Sequence, residues 1–193
     1  MVKGISSVIA TLLMLVITIS LVGFAYTYIS GTLTSKTSTA FSVVDALNDM
    51  VILRNDGTDP ITKFTATLDG NSVNLITCIN GGSPAKCGDV NMDGAILGND
   101  RLFLNRYLGG LRTFTSDQKI LADVDGDLAV TLSDHTVIGN YLAELITQSQ
   151  FPATQFNPGQ IRTVKPFSTL SQGRHILKLC TVQMCNPVVL TII

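Results

Sequence analysis

The sequence predicts an α+β protein in three parts: a long hydrophobic N-terminal helix, a β-sandwich head, and a small α-helical module inserted into that head. Three observations predict this. No charge falls between Lys3 and Lys36. Short alternating runs bounded by turn residues lie on both sides of residues 83–150. Residues 87–150 hold nine acidic residues against four basic ones, whereas the rest of the chain holds five against nine. A charge reversal this sharp marks an inserted module. The expected limits are 5–32 for the helix, 33–82 with 151–193 for the head, and 83–150 for the module. The net charge of −1 gives no basic excess, so nucleic acid is not an expected partner.

The N-terminal helix comes first. Residues 5–30 as a helix would measure about 39 Å, more than the ~30 Å hydrocarbon core of a bilayer. The segment is also longer than the 7–15 apolar residues of a secretory signal. It is apolar on every face, so every face must be buried, in lipid or among identical helices. An ordinary membrane anchor satisfies this. The stretch "VKGIS", a basic residue and a small one ahead of a long apolar helix, resembles the class III signal of archaeal type IV pilins and archaellins. That resemblance implies cleavage by a prepilin peptidase after Lys3-Gly4, with Ile5 as the new N-terminus. Residues 1–4 would be lost and residues 5–32 would anchor the protein, then build the core of a homo-oligomeric filament at the cell surface. Bacterial pilins carry a Glu near the start of this helix. Here Ser6, Ser7 and Thr11 are the polar groups of the first turns.

The head follows. "FSVVDAL", "DMVILRN", "ITKFTATL" and "SVNLITC" alternate and are separated by "NDGTDP" and "DGN". Asp69-Gly70 between two such runs is a hairpin signal. Strand signals resume in "GQIRTVKPF", "GRHILKLC" and "NPVVLTII". About seven strands are expected, the size and pattern of an immunoglobulin-like sandwich. Archaeal pilin and archaellin heads resemble this arrangement.

The module carries the chemistry. Counted from Asp89, residues Asp89, Asn91, Asp93, Ala95 and Asp100 fall at positions 1, 3, 5, 7 and 12, with Gly94 at 6. This is the ligand spacing of an EF-hand-type calcium loop, in which side-chain oxygens at 1, 3, 5 and 12 and the backbone carbonyl at 7 surround a hard cation. The pattern recurs 34 residues later as Asp123, Asp125, Asp127, Ala129 and Asp134. Between residues 89–108 and 123–142 seven positions are identical, including Tyr107/Tyr141 and Leu108/Leu142. Two Ca²⁺ ions are expected. Position 6 of the second loop is Leu128, where a left-handed backbone costs a non-glycine residue about 1–2 kcal/mol. The second site is therefore expected to be the more distorted, although Asp125 gives it one more carboxylate than the first.

A duplicated loop–helix unit with Asp at position 12 and no helix before the loop resembles the type I dockerin, over "GDVNMDGAILGNDRLFLNRYLGG" and "ADVDGDLAVTLSDHTVIGNYL". The resemblance implies two structural Ca²⁺ ions and helix faces that bind a cohesin module on another protein. It points to positions 10 and 11 as partner contacts: Gly98 and Asn99 in one repeat, Leu132 and Ser133 in the other. These pairs differ, which argues against two equivalent docking modes.

Four cysteines allow three pairings. The local pairs are favoured, Cys78 with Cys87 at the stem of the module and Cys180 with Cys185 closing a hairpin. Neither His135 nor His175 has zinc-ligand spacing to them. No nucleophile elbow or Walker loop is present, so the protein is not expected to be an enzyme. The leading expectation is a structural subunit of a type IV pilus-like filament displaying a dockerin-like module. A monomeric membrane-anchored protein that captures a cohesin-bearing partner is the alternative, and a secreted accessory of a polysaccharide-degrading assembly a weaker third.

Overall fold

A computed structural model of the chain describes residues 7–81 and 85–193. The expected cleavage site, Lys3, Gly4 and Ile5, lies outside the described residues. The chain divides into two units after Ser38.

The first unit is helix α1, Ser7–Thr37, which runs past the expected end at residue 32. Its Ile9–Ser30 portion is long and apolar enough to cross a membrane, with mean hydropathy 2.3. Three of its hydroxyls are turned back onto the helix: Thr18 donates to the Leu15 carbonyl (2.9 Å), Ser20 to Val16 (2.8 Å) and Thr27 to Phe24 (2.9 Å). Every one of these hydroxyl protons is satisfied without water, as an apolar surrounding demands. Large apolar side chains such as Met14, Val22 and Phe24 are exposed on this unit.

The second unit holds two four-stranded antiparallel sheets. The first has the order β1-β2-β6-β5, the second β4-β3-β7-β8. The strands are β1 Phe41–Leu47, β2 Met50–Asn55, β3 Thr65–Leu68, β4 Asn71–Val73, β5 Leu75–Ile76, β6 Ile161–Pro166, β7 Gly173–Cys180 and β8 Cys185–Ile192. Asp69 (φ 49°) and Gly70 (φ 87°) turn the β3–β4 hairpin, both in the left-handed region that a two-residue hairpin requires. The run "SVNLITC", expected as one strand, is split at Asn74: β4 pairs in the second sheet and β5 in the first. That crossing makes eight strands of the expected seven. Inward-facing residues of both sheets, among them Phe41, Val51, Leu53, Val164, Leu177 and Leu190, form one core with Ile61 and Phe156.

The module leaves the head after β5 and returns before β6. It contains α2 Gly98–Leu108, α3 Ser116–Ala122 and α4 Leu132–Leu142. Its core is Val90, Leu104, Val124 and Ile138 with Phe114 and Phe151. Each repeated tyrosine has an aromatic partner: Tyr107 stacks on Phe114 at 4.2 Å and Tyr141 meets Phe151 edge-on at 5.6 Å. Phe151 and Ala153 belong to this core, as does Cys78, so the packed module extends beyond the expected limits of 83–150 at both ends. Both local disulfides are formed, Cys78–Cys87 and Cys180–Cys185.

Helix α3 corrects the expectation that no helix precedes either loop. Its signal is the capping box "TSDQ": Thr115 Oγ1 accepts from the Gln118 N–H (3.3 Å), and Gln118 Oε1 accepts from the Thr115 N–H (3.2 Å). Nor is the module a loosely held appendage. Ile120 and Leu121 of α3 pack on Ile76 of β5 and on Met50. Lys165 of β6 joins Asp49 of the head and Asp117 of α3, each at 2.6 Å.

Candidate calcium site

Each loop is an acid-walled turn that ends as a helix begins. The closing acids, Asp100 and Asp134, lie in the first turns of α2 and α4 and are fully buried. Asp100 accepts from the N–H groups of Asn91 (3.0 Å) and Leu97 (2.8 Å). Asp134 accepts from those of Asp125 (3.1 Å) and Thr131 (2.8 Å). The opening acids match as well. Asp89 takes the N–H groups of Asp93 (3.1 Å) and Gly94 (2.8 Å), and Asp123 those of Asp127 and Leu128 (3.1 Å each). Asp93 and Asp127 each accept from the alanine two residues on, at 3.0 and 2.8 Å. These bonds recur position for position in the two loops, and the second adds two more, from the Gly126 N–H to Asp123 (2.7 Å) and from the Val124 N–H to Asp134 (2.8 Å). The correspondence continues past the helices. Leu111 and Leu145 donate to the Arg106 and Asn140 carbonyls (2.9 and 3.0 Å), after Gly110 and Glu144 at positive φ. Both helices therefore end in the same hydrogen-bonded turn.

The backbone corrects the view that the second loop alone is strained. Each loop has two left-handed positions, 4 and 6. The first places Met92 (φ 62°) and Gly94 (φ 95°) there, the second Gly126 (φ 77°) and Leu128 (φ 72°). One glycine and one non-glycine serve each loop in exchanged order, so the conformational cost is shared equally. Leu128 also lines a cavity of about 410 Å³ between module and head, with Leu47, Met50, Ile52 and Tyr107. A leucine there gives the cavity wall apolar surface that glycine would lack.

The second loop gathers its acids most closely. Ligand oxygens of Asp123, Asp125 and Asp134 all lie within 4.8 Å of one another. Burial and then the facing Asp134 push the Asp123 carboxyl up to about 7, and burial pushes Asp134 up to about 6. Like charges held together out of water resist ionisation, and a divalent cation among them reverses that cost. In the first loop burial also raises Asp100. Asp93, by contrast, lies below the ordinary carboxylate value, first because Asn91 donates to it (2.8 Å), then through the Ala95 N–H and the Asn99 amide (3.0 Å each). Hard oxygen donors spaced in this order, three of them converging in the second loop, are the donor type that suits Ca²⁺.

The proposed partner contacts Gly98, Asn99, Leu132 and Ser133 all lie exposed in the first turns of α2 and α4. Between the helices the Arg101 Nε donates to His135 Nε2 at 3.1 Å, and the guanidinium lies close over Gly139.

Sequence reasoning missed the head residue Arg162, which reaches the second loop, although its alternation with Val164 on the inward face of β6 was the signal. It also missed a cluster of Ser171, His175 and Asp69. His175 Nδ1 lies 2.7 Å from Asp69, and its Nε2 lies 3.1 Å from the Ser171 carbonyl and 3.4 Å from the hydroxyl. With both ring nitrogens against acceptors, the imidazolium is favoured, and Asp69 above all raises its pKa. Such a ring is a poor base for the serine.

These features define a module of paired oxygen-ligand loops. Residues 87–143 match the dockerin type I domain, and that domain is generally calcium-binding. One solved structure resembling part of the chain is that of the third cohesin ScaC in complex with the ScaB dockerin from Acetivibrio cellulolyticus, displaying a type I interaction. It matches at 25% identity over 34% of this chain and 90% of that chain, with a TM-score of 0.32. No curated protein matches the chain.

Proposed function

We propose that the chain is a non-enzymatic surface protein whose calcium-bound dockerin module captures a cohesin-bearing partner, with α1 as its membrane anchor. The observation that carries this is the hydrogen-bond pattern shared by two acidic loops in register, within the segment that matches the dockerin type I domain. Each loop takes one Ca²⁺, held by Asp89, Asn91, Asp93, the Ala95 carbonyl and Asp100 in the first, and by Asp123, Asp125, Asp127, the Ala129 carbonyl and Asp134 in the second. A ~60-residue module buries too little apolar surface to be robust alone, and the ions supply the missing stability. The exposed Gly98-Asn99 and Leu132-Ser133 pairs then meet the partner. The test is capture of the full chain in detergent by an immobilised type I cohesin. Capture in calcium that is lost in chelator supports the reading. Capture unaffected by chelator overturns it.

A second reading, a subunit of a type IV pilus-like filament, is favoured by "VKGIS" ahead of a helix that is apolar on every face. That helix would pass from the membrane into a bundle of its own copies after a prepilin peptidase exposes Ile5. The strand order supports an immunoglobulin-like head, since β1-β2-β6-β5 over β4-β3-β7-β8 follows the ABED and C′CFG pattern. Mass spectrometry that finds Ile5 as the first residue, with sedimentable filaments, supports this reading. An intact N-terminus on a detergent-soluble monomer contradicts it.

A further inference from the structure

Arg162 stands on β6 of the head and is buried. A buried guanidinium is tolerated only when its donors are matched. Here none goes to a carboxylate. Nη1 donates to the Gly126 carbonyl (2.8 Å) at position 4 of the second loop and to the Ile161 carbonyl (2.8 Å). Nη2 donates to the carbonyls of Pro152 and Gln155 (2.9 Å each) and to Gln160 Oε1 (3.1 Å), and Nε to the Ala153 carbonyl (3.3 Å). The returning segment is tied to the same loop, since the Ala153 N–H donates to the Val124 carbonyl at 3.0 Å. The fit leaves no room for a side chain: a Cβ on Gly126 would stand 2.5 Å from the Arg162 Cζ. The first loop has no counterpart to this contact among the hydrogen bonds of the described residues.

We propose that Arg162 is a positioning residue for the second calcium loop, and that through it the β head and that loop's ion stabilise each other. The proposal rests on the reading of residues 123–134 as a calcium loop. Arg162 fixes the carbonyl of Gly126, one of the loop's two left-handed residues, and so holds the bend that presents Asp123, Asp125 and Asp127. An ion that orders the bend in turn orders the carbonyl that Arg162 grips, and with it β6 and its neighbour β2. Such coupling is reciprocal by thermodynamic necessity. The first loop, which lacks the contact, binds its ion independently of the head.

The experiment is calcium titration by calorimetry, together with amide hydrogen exchange at β2 and β6, on the full chain in detergent. Calcium is expected to slow exchange at Val51–Arg54 and Ile161–Val164 by about tenfold. Asp93→Ala in the first loop should leave that protection intact, and Asp123→Asn in the second should abolish it. Arg162→Lys keeps the charge but loses the fork. It should weaken binding at the second loop by about tenfold, as outer-shell changes do, leave the first site within about twofold, and uncouple β6 from calcium. Gly126→Ala perturbs the same joint from the loop side and should do likewise. Protection of β6 that survives Arg162→Lys, or that follows the first loop, overturns the proposal. If calcium binds at the second loop but β2 and β6 do not respond, the proposal falls and the calcium reading stands. If no calcium binds, both fall.

Discussion

Acidification should release calcium from the second loop far more steeply than ordinary aspartates would allow. Burial pushes the carboxyls of Asp123 and Asp134 up to about 7 and about 6 without the ion, and Ca²⁺ binds only their ionised forms. At about pH 5.5 the two together hold nearly two protons, and at about pH 8 almost none. An ion binding at the lower pH must expel those protons. Treating the two steps as successive, affinity falls by roughly two orders of magnitude between pH 8 and pH 5.5, about 3 kcal/mol. Calorimetry in two buffers of different ionisation enthalpy reads both the affinity and the protons released. Asp93→Ala isolates the second loop. A change below about threefold over this range, with no proton release at the lower pH, would refute the reasoning. The sign for stability is opposite without calcium. Both folded pKa values lie above the unfolded 3.8, so the folded protein binds more protons between those values, and ion-free stability falls as pH rises from about 4 and levels off above about 7.

Other outcomes follow from the same geometry. Leu128→Gly relieves a left-handed leucine worth about 1–2 kcal/mol but gives up its part in the apolar cavity, so calcium-loaded thermal stability should change by less than about 1 kcal/mol. Met92→Gly, whose residue is exposed and lines no such cavity among those described, should raise stability more clearly in the same melts. Leu104→Ala opens the centre of the module core and should cost about 2–5 kcal/mol in denaturant unfolding with calcium present. His175 should titrate above its ordinary 6.5 by NMR and return toward that value in Asp69→Asn. Any stability from this pair is fully present below pH 6.5 on the histidine side and is lost as pH rises through the folded value. It is lost again in acid as Asp69 protonates.

The paired acidic loops were legible because their spacing is a local property: side-chain oxygens at 1, 3, 5 and 12, with Asn91 at position 3 of the first loop, can be counted along the sequence. The repeat at Asp123 and the two short-range disulfides were legible for the same reason. What escaped depends on contacts between distant segments. The second left-handed position hid behind Met92, a residue with no turn preference, and only its pairing with Gly126 reveals the exchange. The division of "SVNLITC" between sheets follows from which strands flank it, and nothing within the run encodes that. Arg162 meets Gly126 from across the returning segment, so neither residue announces the other. Its place among the inward positions of β6 was a readable anomaly, a cation where the alternation calls for an apolar residue. Helix α3 was readable too, from the Thr115–Gln118 capping box, and is short enough that its apolar stripe, Ile120 and Leu121, passes for a strand.

Calcium stoichiometry tests the central claim most directly. After equilibrium dialysis of the full chain in detergent against micromolar Ca²⁺, elemental analysis should find two ions per chain. Asp89→Asn and Asp123→Asn should each leave one, and the double variant none. One or no ion on the wild-type chain, or binding that survives the double variant, would contradict the account.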